Sequence, residues 1–342
     1  MTDPAPTGPL PTHAVVLGAG SWGTALAILL AERGCRVSLW GRDEKTVHDI
    51  NSRHVNPRYL PETQLPASIH ATSSLSTLEN ASLVVFAVPS EALRHVAEAA
   101  RAGFTPAPGA PILSCVKGIE GSSGKRPSEV LSETFPGHPV AVLSGPTHAE
   151  EVALHLASAA LIGCQDLAIA RALQDLLTLP WFRTYTSSDV TGMEWGGAAK
   201  NVFAIAAGIA EGLGLGDNAK AALVARGLAE LTRLGIALGG VPETFQGLSG
   251  VGDLIVTCYS THSRNHRVGL MLGKGHTLDE VRHDVHMVAE GVPNTANLHR
   301  RAAAAGVRTP IIDQVYAILY EDKQPAEALL ELLNRDPRPE PG

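Results

Sequence analysis

Short apolar runs alternate with helical periodicity along the first half of the chain. His13–Leu17 reads as a buried strand, and Arg36–Trp40 as a second. Residues 83–88 form another, stopped by Pro89, and residues 112–116 and 140–143 continue the series. Between the first two strands, residues 21–33 read as a helix, with Gly34 placed to close it. Strands alternating with helices imply right-handed βαβ units and a parallel sheet covered on both faces. Residues 159–162 and 182–185 are candidates to extend that sheet, in an order and direction the sequence leaves open.

The pattern changes near Asp189. From there to Leu238 the chain is rich in Ala, Leu and Gly at helical spacing, with no strand pattern between. Further helical runs cover residues 278–289, 294–305, 311–320 and 326–333. The second half is therefore expected to be all-helical. The two ends differ from the rest: residues 1–12 hold four prolines and no apolar run, and residues 335–342 are Pro-rich and charged. Both read as loose tails, and the first does not read as a signal peptide.

Length and composition sharpen this picture. With 342 residues, two domains are expected. Aromatics make up only 4% while Gly numbers 34, which suits close-packed helices on a parallel sheet better than a β-sandwich. The formal net charge of −7 gives no general attraction for nucleic acid or an anionic membrane, so a bound phosphate needs a local site. No apolar stretch is long and uncharged enough to span a bilayer. Cys35, Cys115, Cys164 and Cys258 form no C-x-x-C pair and sit in or beside apolar stretches. They read as buried thiols in a reducing compartment, and the expected location is the cytoplasm.

The first strand runs directly into Gly18-Ala19-Gly20-Ser21-Trp22-Gly23, which opens the first helix. That is G-x-G-x-x-G in the context a dinucleotide needs. Gly18 permits the tight turn, Gly20 lets backbone approach a pyrophosphate, and Gly23 lets the helix pack closely. The free N–H groups at the helix start attract the phosphates. The fold expected is thus a Rossmann-type, doubly wound α/β domain over residues 13–190, then an all-α domain over residues 191–334. At the tip of the second strand the first polar residue is Arg42, with Asp43 one step on. An acid there would favour NAD. A guanidinium can pair with a 2′-phosphate, so the expectation leans to NADP, with a solvated Arg42 as the plain alternative.

Several polar residues interrupt apolar or Gly-rich segments: Lys117 after one strand, Gly145-Pro146-Thr147 after the next, and Lys200-Asn201 inside a long apolar helix. Asp253 follows a Gly-rich bend, and Ser263-Arg264-Asn265-His266-Arg267 is a compact polar cluster. Each has a plain reading alone. Lys117 and the arginines can be solvated, Lys200 can snorkel, and Asp253 can cap a helix.

Together, in this order, GAGSWGTALA, AVPS, KGIE, SGPT, the GGAAKNVFAIAAGIAEGLGLGDNAKAAL helix, RGLAEL, GVGDLIVTC, SRN and AEGVPNT resemble the NAD(P)-dependent glycerol-3-phosphate dehydrogenases of bacterial type. The resemblance spans residues 13–333. It implies reversible reduction of dihydroxyacetone phosphate to sn-glycerol 3-phosphate with NADP or NAD, and a supply of the glycerol phosphate backbone for phospholipids. It also implies that Lys200 is the catalytic lysine and Asp253 the carboxylate that orients it. Lys117, Gly145, Thr147, Asn201 and Thr257 match positions at the substrate. Ser263, Arg264 and Asn265 match the phosphate grip. Gly18, Gly20, Ser21, Trp22, Gly23, Arg42, Lys117, Ala149, Arg264, Val288 and Glu290 match cofactor contacts. His148 stands where the family commonly has Phe, and Trp195 where an aliphatic residue is usual.

Fourteen histidines raise the question of a metal, and His262/His266 and His283/His286 have helical spacing. Neither pair belongs to a set of three or four close ligands, so no metal is expected. A β-hydroxyacid or 6-phosphogluconate dehydrogenase would share the layout but lack Gly-Val-Gly-Asp-Leu followed by Ser-Arg-Asn. A dinucleotide sensor without chemistry would have no reason to keep Lys200 with Asp253. The apolar helical half suggests a homodimer.

Overall fold

The computed structural model describes residues 12–284 and 288–336. Residues 1–11 and 337–342 of the expected tails 1–12 and 335–342, and His286, lie outside them. Among the described residues, β1 (His13–Leu17), β2 (Arg36–Trp40), β5 (Ile69–Thr72), β6 (Leu83–Phe86), β7 (Ile112–Ser114), β8 (Val140–Ser144), β9 (Ser158–Gly163) and β10 (Phe182–Ser187) build one eight-stranded sheet. β3 (Val55–Asn56) and β4 (Leu60–Gln64) form a separate hairpin. The main sheet has the order β10-β9-β8-β7-β6-β1-β2-β5.

Every pairing is parallel except β8 with β9, so β9 and β10 run against the rest. This settles the direction of the two strands left open above. Every residue of β1 is buried, as a central parallel strand covered on both faces requires. Helices α1 (Ser21–Glu32), α5 (Ala149–Ala153) and α6 (Leu167–Leu177) pack on one face. On the other lie α3 (Leu93–Gly103) and α4 (Pro127–Thr134), while α2 (Glu44–Arg53) joins β2 to the hairpin. α1 ends as expected: Gly34 has φ +83°, and the N–H groups of Gly34 and Cys35 return to the carbonyls of Ala31 and Leu30.

The edge strand β5 and the β3–β4 hairpin do not stand out in the sequence. Their residues mix polar and apolar types, because an edge strand has one open side and a two-residue strand has no period to read.

The second half is helical. Its centre is α7 (Val190–Gly212), buried almost all round, as its continuous apolar sequence demands. Around it stand α8 (Gly216–Ala237), α9 (Pro242–Gln246), α10 (Asp253–Tyr259), α11 (Arg264–Gly273), α12 (Leu278–Asp284), α13 (Gly291–Ala305), α14 (Pro310–Tyr320) and α15 (Pro325–Leu333). The helical run expected over residues 189–238 is split into α7 and α8 by a turn with Gly214 and Gly216 at positive φ. The one expected over residues 278–289 stops at Asp284 within the described residues. α7 and α11 touch backbone to backbone, since a Cβ on Gly208 or Gly269 would collide with a carbonyl of the other helix. That approach brings the start of α11 beside Lys200. All four cysteines are buried thiols outside any disulfide, and no described helix is long and apolar enough to cross a membrane.

Candidate active site

The strand order reverses at β1, between β2 and β6, and the crevice at the carboxyl ends of such strands is where doubly wound sheets bind ligands. Here it is a cleft of about 580 Å3 that extends from the ends of β1, β2 and β6 to the helical half.

At one end is the Gly18–Gly23 turn. Gly18 has φ +121°, and a Cβ there would stand 2.5 Å from the Ala87 carbonyl oxygen. A Cβ on Gly23 would collide with the Gly18 carbonyl oxygen. On Gly20 a Cβ would meet nothing within 4 Å, so that backbone faces open cleft. Two glycines are thus needed to close the turn, and the third leaves room for a pyrophosphate over the start of α1. The residues present fit a dinucleotide. Ser21, Trp22 and Ala149 line the same space. Gly23 lies under the turn.

Past the tip of β2, Arg42 is exposed and lines the cleft. Asp43 lines the cleft as well, and its carboxylate caps α2, accepting from the N–H of Thr46 at 3.2 Å and its hydroxyl at 2.5 Å. The hydroxyl bond to Thr46 leads the interactions that keep its carboxyl below the usual range. A second guanidinium, Arg58, lines the cleft, lies 3.8 Å from Asp43 and sits over the Tyr59 ring. The sequence carries no mark of Arg58, because the β3–β4 turn that holds it is brought to β2 only by folding.

At the other end three charges meet. Lys200, in the middle of α7, donates to Asp253 Oδ1 and, at 2.9 Å, to the Thr257 hydroxyl. Lys117, beyond the end of β7, donates to Asp253 Oδ2 at 2.7 Å and to the Gly145 carbonyl at 2.9 Å. Asp253 is 1% exposed and Lys200 6%. The helix cap before α10 is Gly252, so Asp253 is not serving as a cap, and Lys200 is not a surface lysine. Burial drives the Lys200 ammonium down to about 7, reinforced by the Lys117 charge and opposed by Asp253. The two lysines hold the Asp253 carboxyl below its ordinary value despite burial. One carboxylate cannot balance two ammonium groups, so the more deeply buried lysine gives up its proton readily.

Lys117, Thr147, Lys200, Asn201, Thr257, Ser263, Arg264 and Asn265 line the cleft together. Gly145 and Asp253 stand just behind, reached through Lys117. Val288 and Glu290 also line it, and Arg264 donates to the Val288 carbonyl at 3.0 Å. Asn265, Asn201 and Glu290 are also held by protein partners. Asn265 donates to Asn201 at 2.8 Å and accepts the Gly291 N–H. Asn201 also donates to the Lys117 carbonyl at 3.1 Å. Glu290 accepts the N–H and hydroxyl of Ser90 across the cleft. His148 and His262 line the cleft too, with ring centroids 5.8 Å apart. Burial and the two lysines push His148 down to about 4, so it is neutral at pH 7. Trp195, by contrast, is buried in the helical core. Among the described residues no three His, Cys, Asp or Glu side chains are grouped to hold a metal ion.

A dinucleotide cradle facing a lysine–carboxylate–lysine cluster, with a cationic helix start at hand, defines a two-domain nicotinamide-dependent oxidoreductase. Residues 13–170 match the family described as NAD-dependent glycerol-3-phosphate dehydrogenase N-terminus, and residues 189–330 its C-terminus. The chain belongs to the NAD-dependent glycerol-3-phosphate dehydrogenase family. It is 49% identical to a glycerol-3-phosphate dehydrogenase (NAD(P)+) of Lysinibacillus sphaericus over 94% of this chain and 95% of that protein. It is 47% identical to the enzyme of that name from Enterococcus faecalis over 95% and 96%. The crystal structure of glycerol-3-phosphate dehydrogenase from Coxiella burnetii superposes with a TM-score of 0.91, at 37% identity, over 96% of this chain and all of that one.

Proposed function

We propose that this protein reduces dihydroxyacetone phosphate to sn-glycerol 3-phosphate reversibly, with Lys200 as the proton-transfer group and Asp253 as its anchor. The observation that carries the assignment is the Lys117–Asp253–Lys200 cluster at the inner end of a dinucleotide cleft. The cofactor, when bound, supplies or accepts the hydride. As negative charge grows on the ketone oxygen, protonated Lys200 stabilises it and then donates its proton. In oxidation, neutral Lys200 takes the hydroxyl proton. Lys117 lies close enough to share the same oxygen. Arg264 and the start of α11, flanked by Ser263 and Asn265, take the phosphate; that grip aligns the reacting carbon and excludes substrates without a phosphate.

NADP is favoured over NAD. The acid at the tip of β2 caps α2 through one oxygen and faces Arg58, and Arg42 and Arg58 offer two guanidiniums at that end of the cleft for a 2′-phosphate. We place the domain boundary at residues 190/191, in the first turn of α7 just after β10. The product would serve as the glycerol phosphate backbone of phospholipids, the enzyme working in the cytoplasm as a homodimer.

The test is NADPH-dependent turnover of dihydroxyacetone phosphate by wild type and Lys200→Ala. A loss of about 100-fold or more in kcat, with NADPH binding intact, is expected for removal of a general acid. A folded wild type that binds NADPH yet leaves dihydroxyacetone phosphate untouched would sink the assignment.

A further inference from the structure

The segment from Lys117 to Ile119 carries a site lysine out of the sheet and across to the helical half, where amide side chains hold it. Asn294, near the start of α13, has no exposed surface. Its Nδ2 donates to the Lys117 carbonyl at 3.1 Å and to the Ala198 carbonyl at 3.2 Å. Its Oδ1 accepts the Ile119 N–H at 3.2 Å. Asn201 donates to the same Lys117 carbonyl, and Asn297 to that of Ile119 at 3.0 Å.

A buried amide is costly unless satisfied, and one that makes three bonds specifies a single geometry. The geometry is informative here. Lys117 is the residue whose ammonium sits on Asp253 Oδ2, and Ala198 lies in the turn of α7 that leads into Lys200. One side chain thus ties the backbone of one lysine to the helical turn of the other. The Gly-Val-Pro-Asn-Thr stretch that supplies it has no other part in the cluster.

We propose that Asn294 is a positioning residue for the reduction, holding Lys117 and Lys200 on opposite oxygens of Asp253. The inference rests on the reading of those lysines given above. The charged and titratable groups facing Lys200 are Lys117, Asp253, His148 and Cys258, with the Thr257 hydroxyl on its amine. Freeing Lys117 withdraws a positive charge from Lys200 and leaves Asp253 to it alone. Both changes raise the proton affinity of Lys200.

The experiment compares wild type, Asn294→Leu and, as a stability control, Leu231→Ala in the helical core. Four quantities are read: kcat/KM for dihydroxyacetone phosphate, NADPH affinity, thermal stability, and the pH midpoint of Lys200 acetylation by acetic anhydride, followed by peptide mass spectrometry. For Asn294→Leu, kcat/KM should fall about 10- to 100-fold, the loss typical of a misplaced catalytic group. NADPH affinity should hold, and the acetylation midpoint should rise towards an ordinary lysine. Leu231→Ala should lower thermal stability and leave the midpoint alone. A wild-type midpoint in Asn294→Leu, with turnover lost only as the protein unfolds, would overturn the proposal. If wild type were idle on dihydroxyacetone phosphate but the midpoint still moved, the substrate assignment would fail and the positioning role would stand.

Discussion

Lys117 and Lys200 reach Asp253 from opposite halves of the molecule, one from beyond a strand and one from inside a helix, and take one carboxylate oxygen each. The pairing makes Asp253 a bridge between the domains as well as an anchor. It also leaves one surplus positive charge there, which adds to the effect of burial on the Lys200 ammonium.

The two reaction directions should therefore respond to pH in opposite senses. Lys200 ionises near 7 because burial and Lys117 oppose its charge. Ketone reduction needs it protonated, so kcat for dihydroxyacetone phosphate should fall as pH rises through about 7. Oxidation of glycerol 3-phosphate needs it neutral, so that kcat should rise over the same interval. Profiles from pH 5.5 to 9 in both directions provide the check. Two curves of the same sense would remove Lys200 from the proton-transfer role.

Arg58 should matter for the choice of cofactor although it lies far from Arg42 in sequence. Arg42→Ala and Arg58→Ala should each raise KM for NADPH about 10-fold while leaving KM for NADH nearly unchanged, the size expected for one charge-assisted bond of roughly 1.5 kcal/mol. The double variant should lose most of the preference. Equal effects on both cofactors would mean that neither guanidinium meets a 2′-phosphate.

Glu230 gives a separate prediction, about stability. It is 2% exposed, and its oxygens accept the N–H groups of Ile311 at 3.0 Å and Ile312 at 2.9 Å, closing the start of α14. Burial raises its carboxyl from 4.5 to about 7, outweighing those two bonds, and nearby Asp313 adds to the rise. A carboxyl whose folded value is raised contributes stability fully below its unfolded value and loses that contribution as pH climbs through about 7. Between pH 5 and 8, wild type should lose on the order of 3 kcal/mol relative to Glu230→Gln. Thermal unfolding of the pair at several pH values measures this. Parallel curves would show that Glu230 does not titrate in that range.

Much of this molecule could be read from residue order. β1, α1 and β2 were legible because a central parallel strand must be apolar throughout and a dinucleotide turn must be Gly-rich. Lys200 and Asp253 stood out because a charge amid small apolar residues must be explained. The sequence by itself thus determined the fold class, the dinucleotide turn and the residue types of the site. Tertiary structure decided what no local pattern encodes. It turned β9 and β10 against the sheet, since strand direction depends on where the chain re-enters. It gave one carboxylate to two lysines separated by 83 positions in the chain. It set Arg58 near Asp43 in the same cleft that Arg42 lines, and it spent the side chains of Asn201, Asn265 and Glu290 largely on other parts of the protein. Asn294 is the sharpest case: an amide looks the same in any helix, and only the chain folded back upon Lys117 and Ala198 makes its three bonds possible.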